Sequence, residues 1–201
     1  DSTRIVVALG KAGTGKTLLA IAAGLKVPDA DLLEVGNRKH RTFATQRFDR
    51  VLGSNGNSRL HFASAMTMLG HHDGAGHAEG VSYLELVDFL SNQGAEVTAD
   101  LEELWRRIVF SICVSNIDDH LRNHGFLLTK RGWKLSPAYD INPNPLGTGL
   151  SLNINEDENS LDLELAQEIA EFCRLKPDAA KKIISDVKNA VSGWSQVADE
   201  A

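Results

Sequence analysis

VSNIDDHLRNHGFLLTKRGWKLSPAYD, residues 114–140, carries the densest chemical signal in the chain. Asp118 and Asn123 stand five residues apart with His120 between them. An apolar run at 126–128 and a turn at Lys130-Arg131-Gly132 follow. A second apolar stretch at 133–135 then leads through Ser136 and Pro137 to Tyr139 and Asp140. Two short apolar runs around a tight polar turn predict a β-hairpin. The pattern is a loop, a hairpin, and a third acidic side chain brought back beside the loop by the returning strand.

Three hard oxygen donors at these spacings suit one task, which is to grip metal-bound phosphates while a hydroxyl attacks. In kinase-fold phosphotransferases an Asp orients the hydroxyl, an Asn five residues on takes one magnesium, and an Asp beyond a hairpin takes the other. Asp118, Asn123 and Asp140 fit these positions. Asp119 does not, since only Asp118 has the D-x-x-x-x-N spacing. The bland alternative is a polar loop whose Asp and Asn residues cap turns. The returning Asp140 and its hairpin weigh against that alternative.

The 201 residues carry a formal net charge of −6 and two cysteines. This length fits one domain, or two small lobes sharing a cleft, and suffices to bury a sizeable core. The acidic balance argues against a general nucleic-acid surface and against an anionic membrane. No apolar run approaches the ~20 residues needed to span a bilayer. Residues 4–9 are too short for a signal peptide and end in a glycine-rich turn. Cys113 and Cys173 each fall on an apolar helical face, as buried thiols do. A cytoplasmic location is the expectation.

Residues 10–17, GKAGTGKT, match the phosphate-loop pattern G-x-x-x-x-G-K-[ST], with a β-like run before and an apolar helical stretch after. In such a loop Gly13 and Gly15 let backbone N–H groups approach phosphate, Lys16 reaches the β/γ-phosphates and Thr17 holds magnesium. Residues 5–22 are similar to the P-loop of PhoH-type ATPases. A P-loop ATPase also needs a parallel sheet of repeated βαβ units. After Leu25 no such alternation of buried strands and helices follows. Leu84, Val87 and Leu90 fall at helical spacing instead.

The remaining organisation is coarser. A helix is expected over 17–26, and a hairpin from 30–35 and 41–46 around a turn at 36–40. Residues 53–82 are rich in Gly, Asn, Ser and His and read as a long loop broken at 62–69. His71, His72 and His77 match no metal-ligand spacing and read as solvated side chains. Residues 98–115 form the clearest helix, capped by Thr98, with Leu101, Leu104, Trp105, Ile108, Val109, Ile112 and Cys113 on one face. Two further helices are expected over 161–173, started by Ser160, and over 177–191, started by Pro177.

The strings NIDDHLRNHGFLL at 116–128 and LSPAYDINP at 135–143 resemble the catalytic core of HipA-type serine/threonine kinases, toxins of bacterial toxin–antitoxin pairs. TQRFDR at 45–50, FASAMTMLG at 62–70, SYL at 82–84 and the helical tail at 150–194 resemble the same family. The likeness covers residues ~20–195. It implies an α+β, protein-kinase-like fold of two lobes, with a reduced small lobe over 1–50 and a mainly helical catalytic lobe over 51–201. It also implies ATP and Mg2+ in the cleft, with Gln46, Arg47 and Phe48 at the adenine end. Transfer of the γ-phosphoryl group to a protein Ser or Thr hydroxyl would follow. In that scheme Asp118 is catalytic with His120 supporting it, and Asn123 and Asp140 hold metal. His120, Arg122, Asn123, Tyr139 and Asp140 face the nucleotide. The family's substrate is a translation component, a glutamyl-tRNA synthetase, and a DNA-binding HipB-like antitoxin is the partner. No direct nucleic-acid or membrane contact is implied.

The first ~20 residues depart from that family. A kinase small lobe supplies a strand lysine and a helix glutamate that pairs with it, yet the stretch 17–26 contains no Glu. Lys11 or Lys16 would have to serve for the lysine. Truncation, fusion or an artificial junction each accounts for such a start. Two other readings therefore stand beside the kinase: a PhoH-like P-loop ATPase, and a catalytically impaired kinase-fold binding module.

Overall fold

The computed structural model describes residues 4–5, 16–34, 41–51, 58–144 and 146–193. Its elements run β1 (Arg4–Ile5), α1 (Lys16–Ala22), β2 (Ala30–Glu34), β3 (Arg41–Gln46), β4 (Arg50–Val51), β5 (Ser58–Arg59), β6 (Phe62–Ser64) and α2 (Ala65–Leu69). They continue α3 (Tyr83–Gln93), α4 (Val97–Val114), β7 (Gly125–Thr129), β8 (Gly132–Leu135), α5 (Leu163–Glu168) and α6 (Pro177–Ser192). Single 3-10 turns at His77–Glu79 and Leu121–Asn123 complete the described secondary structure.

Helix α4 is the spine. Its apolar residues recur at helical spacing, and Leu101, Leu104, Trp105, Ile108, Val109 and Phe110 are all buried. Burying a side chain of this kind stabilises by about 1.5–3 kcal/mol before entropy is charged against it. Trp105 Nε1 donates to Ala166 O at 2.7 Å and so fastens α5. Inside this wall Glu103 and Arg107 pair at 2.9 Å, one turn apart and almost fully buried. Glu103 also accepts from the Lys26 backbone N–H, and Arg107 donates to Ser136 O. One ion pair thus ties α4 both to the chain after α1 and to the chain after β8. The first helix ends at Gly24, where φ is +80° and glycine carries no Cβ penalty.

Three small sheets are present, each antiparallel: β1-β3-β2, β4-β5 and β6-β7-β8. The predicted hairpins appear as β2–β3 and β7–β8, the latter with a two-residue turn at Lys130-Arg131. Within the stretch read as a loop, Phe62–Ser64 adds a strand to the β7–β8 hairpin and α2 follows it. This sheet needs Gly125, because a Cβ there would lie 2.3 Å from the Phe62 ring.

Several helix limits differ from expectation. The first helix stops at Ala22, since Gly24 turns the chain. The penultimate helix is only Leu163–Glu168 and is capped by Asp162, whose side chain accepts from Glu164 N–H; Ser160 does not cap it. Glu96, not Thr98, precedes α4. The turn at 36–40 lies outside the described residues.

The P-loop reading finds no support among the described residues. Residues 4–5 join an antiparallel sheet, with Arg4 opposite Gln46 and Ile5 opposite Thr45, and no described strand pairs in a parallel sheet. A P-loop framework is built on a parallel sheet, and none is found among the described residues. Gly13 and Gly15 lie outside the described residues. No described helix is long and apolar enough to cross a membrane.

Candidate active site

The site begins where α4 ends. Ser115 takes a left-handed conformation, φ 52°, and closes the helix through its N–H to Ile112 O. The chain then turns through Asn116–Asn123, whose bonds are short-range: His120 N–H to Asp118 O at 3.1 Å and Asn123 N–H to His120 O at 2.8 Å. Asn123 Nδ2 donates to Asp118 O at 2.8 Å, and no described residue donates to its amide oxygen. The D-x-x-x-x-N spacing is therefore a closed loop, with the Asn amide locking the Asp backbone.

Asp140 reaches this loop by bonds on both of its sides. The Tyr139 hydroxyl donates to Arg122 O at 2.8 Å, and Asn142 N–H donates to Asn116 Oδ1 at 3.0 Å. Asn116 and Arg122 flank Asp118 in the chain, so the returning arm straps across this loop. Asp140 itself has φ 56°, uncommon for a residue with a side chain, although Asp tolerates it better than most. Its Oδ1 accepts from Asn142 Nδ2 at 2.8 Å, and Asn142 Oδ1 in turn accepts from Lys16 Nζ at 2.9 Å. Thr17 follows in α1, half-buried.

Two adjacent aspartates face opposite ways. Asp118 is 65 % exposed and lies 3.8 Å from His120 Nε2, beyond hydrogen-bond range. Asp119 is buried and accepts from Tyr83 Oη at 2.6 Å and Ser111 Oγ at 3.2 Å, with His124 Nε2 3.0 Å away. That His124 nitrogen makes no hydrogen bond with a described residue. Burial would raise the Asp119 pKa, but His124 and the two hydroxyl donors outweigh it and hold the carboxyl below the usual range. The same pocket pushes the Tyr83 hydroxyl well up, through burial first and the Asp119 anion second.

On the outer side Arg122 pairs with Asp73 and lies 3.3 Å from His120 Nε2. His120 Nδ1 is buried without a partner. A cleft of about 400 Å³ adjoins this side, between Ile117, His120, Arg122, the 72–79 segment and Ser151. A larger one, about 650 Å³, lies along α3 and contains none of the groups singled out above. His71 pairs with Glu85 and His72 with Glu79. Among the described residues no cluster of three or more His, Cys, Asp or Glu could cage a metal. Burial pushes the Cys173 thiol up to about 12.

At the hinge, Phe48 stacks on Tyr139 with centroids 5.8 Å apart, and Phe62 closes against both. Burial also raises the Tyr139 hydroxyl. Gln46 is exposed at the end of β3. Arg47 is turned onto Asp49 by two bonds of 2.7 and 2.6 Å, which lower the Asp49 pKa. Sequence reasoning gave no role to Phe62, Asn116 or Asn142, and it set Asp119 aside although that residue lies between Asp118 and His120.

A helix that delivers a D-x-x-x-x-N loop, a hairpin, and an acidic residue strapped back onto that loop define a protein-kinase-like fold. The chain superposes on HipA from the Shewanella oneidensis MR-1 HipA, HipB and operator DNA complex with a TM-score of 0.75 at 20% identity, covering 98% of this chain and 52% of that one. It also matches the Helicobacter pylori proinflammatory kinase CtkA, with a TM-score of 0.55 at 11% identity, covering 96% of this chain and 86% of that one. The chain belongs to the HipA-like C-terminal domain family, whose model matches residues 16–194. A Haemophilus influenzae protein named "Putative kinase" is 30% identical over 131 residues, 61% of this chain and 38% of that protein. The Shewanella oneidensis "Serine/threonine-protein kinase toxin HipA" is 25% identical over 138 residues, 61% of this chain and 31% of that protein. The chain thus spans about a third of the length of these curated relatives. The phosphate-loop glycines fall outside the family match.

Proposed function

We propose that this chain carries the catalytic half of a HipA-like kinase, transferring the ATP γ-phosphoryl group to a protein Ser or Thr hydroxyl. The observation that carries the proposal is the strap of residues 139–142, which bonds the segment bearing Asp140 to the loop bearing Asp118 and Asn123. The donor set suits magnesium: the Asn123 amide oxygen and the second Asp140 oxygen are hard ligands that no described protein group occupies. Magnesium needs only one or two protein ligands when phosphates and water supply the others, so a three-residue cage is not required. When bound, it neutralises the charge that builds on the phosphate oxygens.

The chain's own residues do the rest. Asn123 and Asp140 fix where the phosphates lie. Asp118, open to solvent, accepts a hydrogen bond from the acceptor hydroxyl and turns its oxygen toward the γ-phosphorus. The new P–O bond forms as the bond to ADP breaks, and the hydroxyl proton passes to Asp118 and then to water. His120 holds the loop, and Phe48 with Tyr139 walls the adenine end. Residues 1–50 would serve as a reduced small lobe and 51–201 as the catalytic lobe, with α1 and the turn after it lending Leu19, Ala20, Ala23 and Leu25 to the shared core. The solved HipA relative sits in a complex with HipB and operator DNA; a HipB-like antitoxin and a translation-component substrate are the corresponding proposals here.

The test is label transfer from γ-labelled ATP to protein, with and without magnesium. Magnesium-dependent label on Ser or Thr that disappears in Asp140→Asn and Asn123→Ala is expected. Nucleotide binding without any transfer would overturn the kinase reading in favour of an impaired binding module, which the α1 sequence, free of Glu, would then explain.

A further inference from the structure

We infer that Lys16, acting through Asn142, is the positioning residue for the Asp140 carboxylate, so that metal affinity at Asp140 depends on a lysine 124 positions away. This rests on the reading of Asp140 as a metal ligand. The argument is one of polarity. A lysine ammonium only donates, an ionised carboxylate only accepts, and an Asn amide does each at opposite ends. Lys16 Nζ donates to Asn142 Oδ1 at 2.9 Å and Asn142 Nδ2 donates to Asp140 Oδ1 at 2.8 Å. Flipping the amide would set N–H against ammonium and carbonyl against carboxylate, and both contacts would turn repulsive. Lys16 therefore fixes the amide, and the amide fixes which Asp140 oxygen is taken and which stays open.

Both ends of the relay are anchored. The Asn142 backbone N–H is held by Asn116, itself buried and donating to Ser111 Oγ at 3.3 Å. At the other end α1 is seated in the core by Leu19, Ala20 and Ala23. Ala138 N–H donates to Lys26 O at 2.7 Å, so the chain after α1 and the returning arm are joined at a second point. Asp140 sits at φ 56° between these anchors, a left-handed conformation that is unfavourable for a non-glycine residue and needs holding. Lys16 is thus placed to act on the metal ligand through Asn142, to which its ammonium is already bonded.

The probe is Mn2+ in the presence of a non-hydrolysable ATP analogue, with free Mn2+ read by electron paramagnetic resonance. Lys16→Met and Asn142→Ala should each weaken Mn2+ binding about tenfold, the usual effect of removing a group that orients a metal ligand. The double variant should lose little more than either single one, because the two act in series. Lys16→Arg, which restores a donor, should recover most of the affinity, an outcome that a purely structural role would not produce. Single variants within twofold of the parent, or a double variant with additive losses, would overturn the relay. Full Mn2+ affinity in Asp140→Asn, or none in the parent, would instead overturn the site reading beneath it.

Discussion

The inner and outer faces of one loop divide the labour of this domain. Asp118 and Asp119 are neighbours with the same side chain. Asp118 stands in solvent with no hydrogen bond to its carboxylate among the described residues, while Asp119 is buried among Tyr83, Ser111 and His124. The inner face draws its partners from α3, α4 and the approach to β7, so it clamps three elements at one carboxylate. The outer face draws on the 72–79 segment and the exposed Arg122. Environment separates them: a satisfied, buried acid holds the loop, and under the proposed function the open acid takes the substrate proton.

The strongest way to break this comparison is to empty the inner face. Asp119→Ala leaves the buried Tyr83 and Ser111 hydroxyls without their acceptor, and should destabilise the domain by about 3 kcal/mol in denaturant titration. Acid should show the same group. Its folded pKa lies below the unfolded value, so its stabilisation is complete above about pH 4 and vanishes as pH falls through the folded value. The parent should therefore lose stability below about pH 4 more steeply than Asp119→Asn, measured as melting temperature against pH. Tyr83→Phe removes one donor from a carboxylate that keeps another, and a loss of about 1–2 kcal/mol is expected. Asp73→Asn breaks only an exposed pair with Arg122, and stability should move by less than about 0.5 kcal/mol.

The parts legible in the sequence are those that local periodicity and spacing encode. The α4 stripe, the β7–β8 hairpin, and the approximate places of Asp118, Asn123 and Asp140 need only neighbours within about ten residues to make sense. What stayed hidden is tertiary. Tyr83 meets Asp119 across 36 residues and Lys16 meets Asn142 across 126, and no spacing rule reports either. The break in the loop at 62–69 is legible, but the pairing of Phe62 with β7 beside Tyr139 is not. GKAGTGKT satisfies a phosphate-loop pattern, but that pattern belongs to a parallel sheet, and the described strand at residues 4–5 pairs antiparallel.

The most direct measurement compares Asp118→Asn with the parent for phosphoryl transfer and thermal stability on the same samples. The account predicts transfer lowered about a thousandfold, within the range for removing a general base, while the melting temperature stays unchanged because the side chain is exposed. Full transfer in Asp118→Asn, or a collapse in its melting temperature, would contradict the division of the loop into a chemical face and a structural one.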